Sequence, residues 1–280
     1  MIDLHLHTTA SDGRLTAVQL VDRALQAGLT VIAVTDHDTV QAVDEVSVAA
    51  AAHGIRVIPG IEVTAVEDGR DVHMLAYFVN HHDSPLTRFL GQQRGRREER
   101  AREIGRRLAA SGVPIDHDAL IERARAIPGK SIARPSIARA LVRAGHAASI
   151  QEAFDRWLGR GRPAFVPRLG LAPVDVLPIV HAAQGIVSLA HPGVTRRDHL
   201  IAPLAEAGLD ALEIHHSDHL PEVREHDRTV ARALGLATSG GSDFHGYGET
   251  RATLGVVHLP PDEFTALEAR ADARRADVAP

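Results

Sequence analysis

Hydrophobic and polar positions follow two different periods along the chain. In residues 1–83, short β-branched or alternating runs are separated by stretches with apolar residues at helical spacing. The pattern predicts two helices, at residues 16–28 and 40–53. The predicted strands are residues 2–6, 31–35, 57–64 and 72–79. This order is typical of a parallel sheet covered by helices.

The rhythm changes between residues 84 and 167, where apolar positions recur at helical spacing and no strand pattern is convincing. Pro135 and Gly145 stand where a helix can begin and end. The β/α alternation then returns, with strands predicted at residues 186–190, 211–215 and 236–239. Seven strands in all suit an α/β barrel. We therefore predict a barrel made of residues 1–83 and 168–280, with an all-helical insertion at 84–167.

Composition narrows the class of protein. Hydrophobic residues make up 44% and charged residues 24% of the 280 positions, which fits a globular protein with a sizeable core. There is no cysteine, which excludes disulfides and thiolate metal sites. The sequence has no membrane-length apolar run and no signal-like start, so we expect a cytoplasmic protein without a membrane partner.

Histidines and acidic residues recur where the predicted strands end. The chain has 18 histidines, and in parallel α/β folds functional groups collect at the carboxyl ends of strands. A single histidine is more often a surface or core residue than a ligand, but this recurrence favours a metal site. The candidate ligands are His5, His7, Asp12, His37, Glu62, His73, His191, Asp243 and His245.

Nine candidates are too many for one zinc ion, which usually takes four ligands, so the set indicates two to three divalent ions. Mixed imidazole and carboxylate ligands suit zinc, manganese or iron better than magnesium or calcium. Clustered ions of this kind generate a nucleophilic hydroxide and neutralise a phosphoryl group. The sequence therefore predicts a phosphoesterase in which a metal-bridging hydroxide attacks phosphorus.

The candidate ligands stand in seven short motifs. These are His5-Leu-His7, Ser11-Asp12-Gly13, Thr35-Asp36-His37-Asp38, Gly60-Ile-Glu62, His73, Ala190-His191-Pro192 and Gly241-Ser-Asp243-Phe-His245. Together they resemble the PHP (polymerase and histidinol phosphatase) domain. The resemblance implies a distorted seven-stranded β/α barrel with a trinuclear centre, for which manganese is our first expectation. It implies one ion at His5, His7, Glu62 and Asp243, a second at Asp12, His37 and His245, and a third at His73 and His191 with Glu62 shared.

The helical insertion resembles that of the stand-alone bacterial group of 3′,5′-nucleoside bisphosphate phosphatases and RNase AM exonucleases. This narrower resemblance implies hydrolysis of the 3′-phosphate of a bisphosphonucleotide, such as pAp to AMP and phosphate. The alternatives are a 5′→3′ exoribonuclease acting on short RNA, a histidinol-phosphate phosphatase and a non-catalytic metal or nucleotide sensor. The sensor is disfavoured because all nine ligand positions hold the residue type that the family resemblance implies. A small nucleotide or short oligonucleotide is the expected substrate, and no stable protein partner is implied.

Four residues are predicted to bind substrate. Arg134 is our candidate phosphate clamp, because guanidinium forks bind phosphate through two hydrogen bonds. Pro135 begins a predicted helix whose free N–H groups would add donors. Ser131 could contribute a hydroxyl, and His219 follows the sixth strand. The insertion is expected to cover the barrel mouth as a lid.

The two acidic residues that flank the candidate ligand His37 are predicted to assist catalysis. Asp38 is our candidate for shuttling a proton, and one of the two acids, Asp36 or Asp38, is expected to orient His37. The arginine-rich stretch 94–107 could contact nucleic acid, but its interleaved glutamates fit a solvated helix face with ion pairs better. Aromatic residues are only 3% of the chain, which disfavours a long base-stacking channel.

Overall fold

Seven strands lie side by side in chain order in the described residues, 1–130, 132–247 and 253–278, of this computed structural model. A parallel bridge between Leu6 and Phe244 brings the first and last strands together, so the sheet nearly closes into a barrel. The predicted seven-stranded β/α barrel is confirmed. The strands are β1 (Ile2–Leu6), β2 (Val31–Val34), β3 (Arg56–Glu67), β4 (Arg70–Tyr77), β5 (Ile186–Leu189), β6 (Ala211–His216) and β7 (Ala237–Gly241).

The direction of β4 corrects the expectation of a parallel sheet. β4 runs antiparallel to both of its neighbours, whereas the other neighbouring pairs are parallel. Asp68 and Gly69, both at positive φ (51° and 69°), join β3 to β4 in a tight hairpin. The reversal pairs His73, near the start of β4, with Thr64 near the end of β3. His73 thereby reaches the rim where the parallel strands end.

The helices outside 84–167 cover the barrel. α1 shows how sequence sets such a helix: Gln19 N–H donates to the Thr16 hydroxyl (3.4 Å), and Thr16 N–H donates to Gln19 Oε1 (3.0 Å). Its residues at helical spacing, Leu20 and Ala24 among them, are buried against β1 and β2. These helices are α1 (Ala17–Gln26), α2 (Val43–Ala51), α7 (Pro173–Ala182), α8 (Pro192–Thr195), α9 (Ile201–Glu206), α10 (Pro221–Ala233) and α11 (Pro261–Val278).

The stretch 84–167 is helical throughout its regular structure, within the part of the chain that the structure describes. Its helices are α3 (Ser84–Ala110), α4 (His117–Arg125), α5 (Arg134–Arg143) and α6 (Ile150–Ala153), which runs into a π-helical turn, Phe154–Leu158. α3 begins at Ser84, directly after its N-cap residue Asp83. Its first turns pack into the barrel core, and its last turns pack with α4 and α5 in a separate apolar cluster.

The division into barrel and insertion stays a prediction. α3 is the element that both apolar clusters share.

None of the described helices is long and apolar enough to cross a bilayer.

Candidate metal centre

Glu62 on β3 lies at the centre of the histidine cluster. Its side chain is only 1% exposed, because β3 places it inside the rim formed by the other strands. Five imidazoles surround its two oxygens, and they come from four different strands or the loops that follow them. Oε2 lies 3.4 Å from His5 Nε2, 3.2 Å from His7 Nε2 and 3.0 Å from His37 Nδ1, whereas Oε1 lies 2.6 Å from His73 Nδ1 and 3.2 Å from His191 Nε2.

Two further carboxylates complete the cluster. Asp243, after β7, places Oδ1 3.3 Å from His5 Nε2 and 3.1 Å from His7 Nε2. Asp12, in the loop after β1, places Oδ1 3.2 Å from His245 Nε2 and 3.9 Å from His37 Nε2. The fold therefore brings together all nine residues that we expected at this rim, and their roles as ligands stay a prediction.

The chemistry of the cluster fits divalent ions. His5 Nε2, His7 Nε2, His37 Nδ1 and Glu62 Oε2 are buried without a hydrogen bond, although ligand-type atoms surround them. Leaving such polar atoms unsatisfied is costly, and a shared cation would satisfy nitrogen and carboxylate oxygen together. Three sets of these atoms lie within 4.8 Å of one another: His5-His7-Glu62-Asp243, His7-Asp12-His37-His245 and His37-Glu62-His73.

Glu213 on β6 contacts two residues of the cluster and was not singled out from sequence. It is fully buried; its Oε1 lies 2.8 Å from His5 Nδ1, and its Oε2 accepts a hydrogen bond from His191 N–H at 2.8 Å. His191 has a left-handed backbone (φ 30°), and this hydrogen bond holds it there. The acidic Glu213 between the apolar residues Leu212 and Ile214 was the available signal.

His216, also on β6, places Nε2 3.3 Å from Asp243 Oδ2, whereas His215 turns outward to Glu263, 2.9 Å away. His5, Glu213 and His216 form a further group with metal-ligand spacing. Burial opposes ionisation of Glu213, but His5 lowers its pKa to about 2. Glu213 is therefore an anion that orients His5.

Replacing Glu213 by glutamine is expected to lower metal affinity by about 10–100-fold. An amide NH2 facing His5 Nδ1 would shift the imidazole proton to Nε2, the nitrogen that faces Glu62. Metal titration of the stripped protein measures the effect. Glu225→Gln, the same change at an exposed position on α10, is the control. Unchanged metal affinity in Glu213→Gln would contradict the orienting role.

Asp36 shapes the loop between His7 and Asp12. Its Oδ1 accepts hydrogen bonds from Thr8 N–H (2.8 Å) and from the Ser11 hydroxyl, and its Oδ2 accepts from the Thr8 hydroxyl (2.6 Å). These contacts hold the loop that carries Asp12. The expected contact of Asp36 with His37 is not among its hydrogen bonds.

Asp38 lies behind the cluster, between two arginines. Its Oδ1 accepts from Thr64 N–H at 2.8 Å, and its Oδ2 accepts from Arg97 and lies 3.6 Å from Arg168 Nη2. Burial favours the neutral acid, but Arg97 and Arg168 hold the pKa of Asp38 below its usual value. An anion paired in this way is suited to holding the arginines in place. Its predicted role in proton transfer stays a prediction.

A cavity of about 220 Å³ adjoins the cluster and is lined by arginines. Arg134 and Pro135, at the start of α5, line this cavity together with Asp12, His37 and His73 of the cluster. Ser131 lies outside the described residues. His219 is buried behind the cluster, where its Nδ1 is 2.9 Å from Ile214 O, and it does not line this cavity.

Three more arginines in this wall, Arg97, Arg100 and Arg168, were missed from sequence. The arginine-rich stretch was interpreted as a solvated face, and its outer side does form ion pairs, such as Arg107 with Glu103 at 2.7 Å. Arg97 and Arg100, one turn apart on α3, instead face the cavity. Burial and the nearby Arg134 lower the pKa of Arg100 to about 10, so its guanidinium is still charged at neutral pH.

The four arginines that line the cavity differ in whether an acidic partner neutralises their charge. Arg97 is paired with Asp38, and Arg168 donates to Asp71 at 2.9 Å. Arg100 donates to a carbonyl, Val166 O, at 3.0 and 2.8 Å, and Arg134 stands 5.9 Å from the Phe154 ring centroid. The cavity therefore carries net positive charge at Arg100 and Arg134, beside a cluster that fits metal ions.

Buried imidazoles and carboxylates at the rim of a β/α barrel, facing a cationic cavity, define a hydrolase of phosphoric esters. The comparisons place the chain within this class: a family model described as the PHP domain matches residues 3–125, and the chain belongs to that family. It is 35% identical to a 5′-3′ exoribonuclease of Haemophilus influenzae over 87% of this chain and 89% of that protein.

Two further relatives support this placement. The chain is 31% identical to a 3′,5′-nucleoside bisphosphate phosphatase of Chromobacterium violaceum, over 93% of each protein. A crystal structure from Bifidobacterium adolescentis, of a protein proposed to be a metal-dependent phosphoesterase, superimposes with a TM-score of 0.84 and 32% identity over 96% of both chains. The phosphoester hydrolase predicted from the sequence is confirmed at this level, and the substrate is a separate question.

Proposed function

We propose that the protein removes the 3′-phosphate from 3′,5′-bisphosphonucleotides, converting a compound such as pAp into AMP and phosphate. The observation that supports this proposal is that four arginines and three residues of the candidate metal cluster line the same cavity. A substrate with two phosphates needs one site for the phosphate that is cleaved and another for the phosphate that is kept. Similarity to the Chromobacterium violaceum phosphatase supports the proposal.

The nine clustered residues would hold two to three divalent ions, and manganese remains our first expectation. When bound, such ions supply a nucleophile at neutral pH and neutralise charge on the phosphoryl oxygens. Glu213 keeps His5 oriented, and Asp36 holds the loop that carries Asp12. These contacts fix the ligands before substrate arrives, so less ordering is needed on binding.

The phosphate that is kept would bind at Arg134 and Arg100. A guanidinium fork binds phosphate oxygens through two charge-assisted hydrogen bonds. Arg134 opens α5, and the positive end of the helix dipole there also favours an anion. Arg97 and Arg168, held by Asp38 and Asp71, would line the path between the two phosphates.

One observation favours the 5′→3′ exoribonuclease as a second candidate. A neighbouring cavity of about 330 Å³ shares Arg97, Arg100 and Arg168 with the first. It adds an apolar side with Leu169, whose side chain is 79% exposed. This space could take a further nucleotide of a short RNA. The same metal site would then hydrolyse a phosphodiester, as the name of the Haemophilus influenzae relative indicates for that protein.

Product analysis across a substrate panel tests the proposal. Purified protein with Mn²⁺ should release phosphate from pAp at least about 50-fold more efficiently than from AMP or histidinol phosphate, since contacts with a second phosphate are worth about 1.5–3 kcal/mol each. A short 5′-phosphorylated RNA completes the panel. Release of 5′-mononucleotides from RNA without phosphate release from pAp would select the exoribonuclease. No hydrolysis of any phosphate ester would refute both candidates.

A further inference from the structure

A second group of imidazoles and a carboxylate lies where α2 meets the turn before α3. Asp44 is in the first turn of α2, and His81 and His82 are in the turn that follows β4. Asp44 Oδ1 lies 2.8 Å from His81 Nε2 and 3.5 Å from His82 Nε2. The two imidazole rings face the same carboxylate, with centroids 4.2 Å apart. None of these residues lines the arginine cavity.

The turn that carries the two histidines is braced on both sides. Asn80 N–H donates to Ala183 O at 2.8 Å, which fixes the turn to the end of α7. Asn80 Oδ1 accepts from His82 N–H at 3.2 Å, and Asp83 caps α3 by accepting from Leu86 N–H at 2.8 Å. The imidazoles are therefore presented from a backbone that is already ordered, which lowers the entropic cost of binding a ligand.

The spacing of the three ligand atoms suits a tetrahedral ion. Bonds of about 2.0–2.1 Å at tetrahedral angles place neighbouring ligand atoms about 3.3 Å apart. The contact of Asp44 with His82, at 3.5 Å, is close to this length, and the contact with His81, at 2.8 Å, is a hydrogen bond that would lengthen by about half an ångström on metal binding. Two imidazoles and one carboxylate leave the fourth position for water, a common arrangement for zinc.

The charge of the group also favours a cation. In the part of the chain that the structure describes, the ion-pair partners of Asp44 are His81 and His82, and no arginine or lysine neutralises it. With neutral imidazoles the group carries about one negative charge. Asp44 and His82 are 67% and 69% exposed, so an ion has open access from solvent.

We propose that Asp44, His81 and His82 bind one zinc ion, separately from the metal centre at the barrel rim. The ion would join α2 to the turn that starts α3. Because α3 also carries Arg97 and Arg100, the bound ion would hold in place the N-terminus of the helix that lines the proposed substrate cavity.

Zinc titration of the manganese-saturated full chain tests the proposal by calorimetry and by metal analysis after dialysis. Wild type should bind one more equivalent of zinc than His82→Ala and Asp44→Asn. Any exchange of zinc for manganese at the rim is common to all proteins and cancels in the difference. His53→Ala, which removes an exposed imidazole just beyond α2, should match wild type. Equal zinc stoichiometry in wild type and both variants would overturn the proposal.

Thermal unfolding gives an independent readout. Added zinc should raise the Tm of manganese-loaded wild type and of His53→Ala more than that of the two site variants, because an ion bound to the folded state stabilises it. Manganese-supported phosphoesterase activity without zinc should be the same in wild type and in Asp44→Asn. A zinc-induced Tm rise of equal size in all four proteins would show that zinc acts only elsewhere.

Discussion

Replacing Glu62 by glutamine is expected to lower kcat by at least about 1,000-fold, because we propose that this carboxylate is shared between metal ions, and its loss would remove several kcal/mol of charge stabilisation. Glu62 is the one side chain that contacts five of the clustered imidazoles within the described residues. Glutamine keeps the shape of the side chain, so the loss is electrostatic and not steric. The measurement is the steady-state rate with saturating Mn²⁺, together with bound metal per chain.

The control for this variant is Glu67→Gln, the same substitution at the end of the same strand but outside the cluster. It should keep both wild-type activity and wild-type metal content. Urea unfolding of the two variants separates loss of the site from loss of the fold. A Glu62→Gln protein that is folded and retains full activity would contradict the placement of the catalytic centre at Glu62.

The rim of the barrel could be predicted from sequence because it follows a general rule of α/β folds. A histidine or acid after most strands identifies the carboxyl ends of strands as a site, and strand neighbours bring these ends together. His5 and His7 illustrate this, since strand residues two apart share a face and both reach Glu62. The likeness to a known family added the grouping of the ligands around separate ions.

The direction of β4 could also have been found from sequence. Asp68-Gly69 is a strong hairpin signal, and both residues have the positive φ that such a turn requires. The alternation of apolar and polar residues along a strand shows which side chains share a face, but it is the same for both strand directions. The parallel sheet was therefore predicted from the β/α alternation alone. His73 was nevertheless placed at the correct rim, although it starts a strand, because that strand runs the other way.

Tertiary packing determines the features that sequence did not reveal. Arg97 and Arg100 belong to a run of arginines and glutamates, and only the docking of α3 on the barrel decides which of them face the cavity. Asp38 looks like a rim acid in sequence, but its left-handed backbone (φ 54°) and Arg97 direct it behind the cluster. Glu213 was not singled out because a single acidic residue within a strand does not form a recognisable sequence motif.

In the proposed function the arginines of the cavity select the substrate, and Arg134 provides the sharpest test. Arg134→Ala is expected to lower kcat/KM for pAp by about 10–150-fold, since a charge-assisted hydrogen bond contributes about 1.5–3 kcal/mol. Hydrolysis of a small monophosphate ester without a second anionic group should fall much less. Arg139→Ala, an exposed arginine on the same helix whose guanidinium donates to Ser136, is the matched control and should behave as wild type.

The pattern of loss distinguishes a clamp on the kept phosphate from a contact at the reacting phosphate. If Arg134 binds the kept phosphate, the variant loses its preference for pAp over the monophosphate ester, because only pAp uses that contact. If Arg134 stabilises the phosphate being cleaved, both substrates lose kcat equally, because the lost contact acts on the reacting group itself. Arg100 stands beside Arg134 in the same wall, so Arg100→Ala should shift the preference in the same direction. Equal losses for both substrates would therefore place Arg134 at the reacting phosphate and contradict its proposed role in binding the kept phosphate.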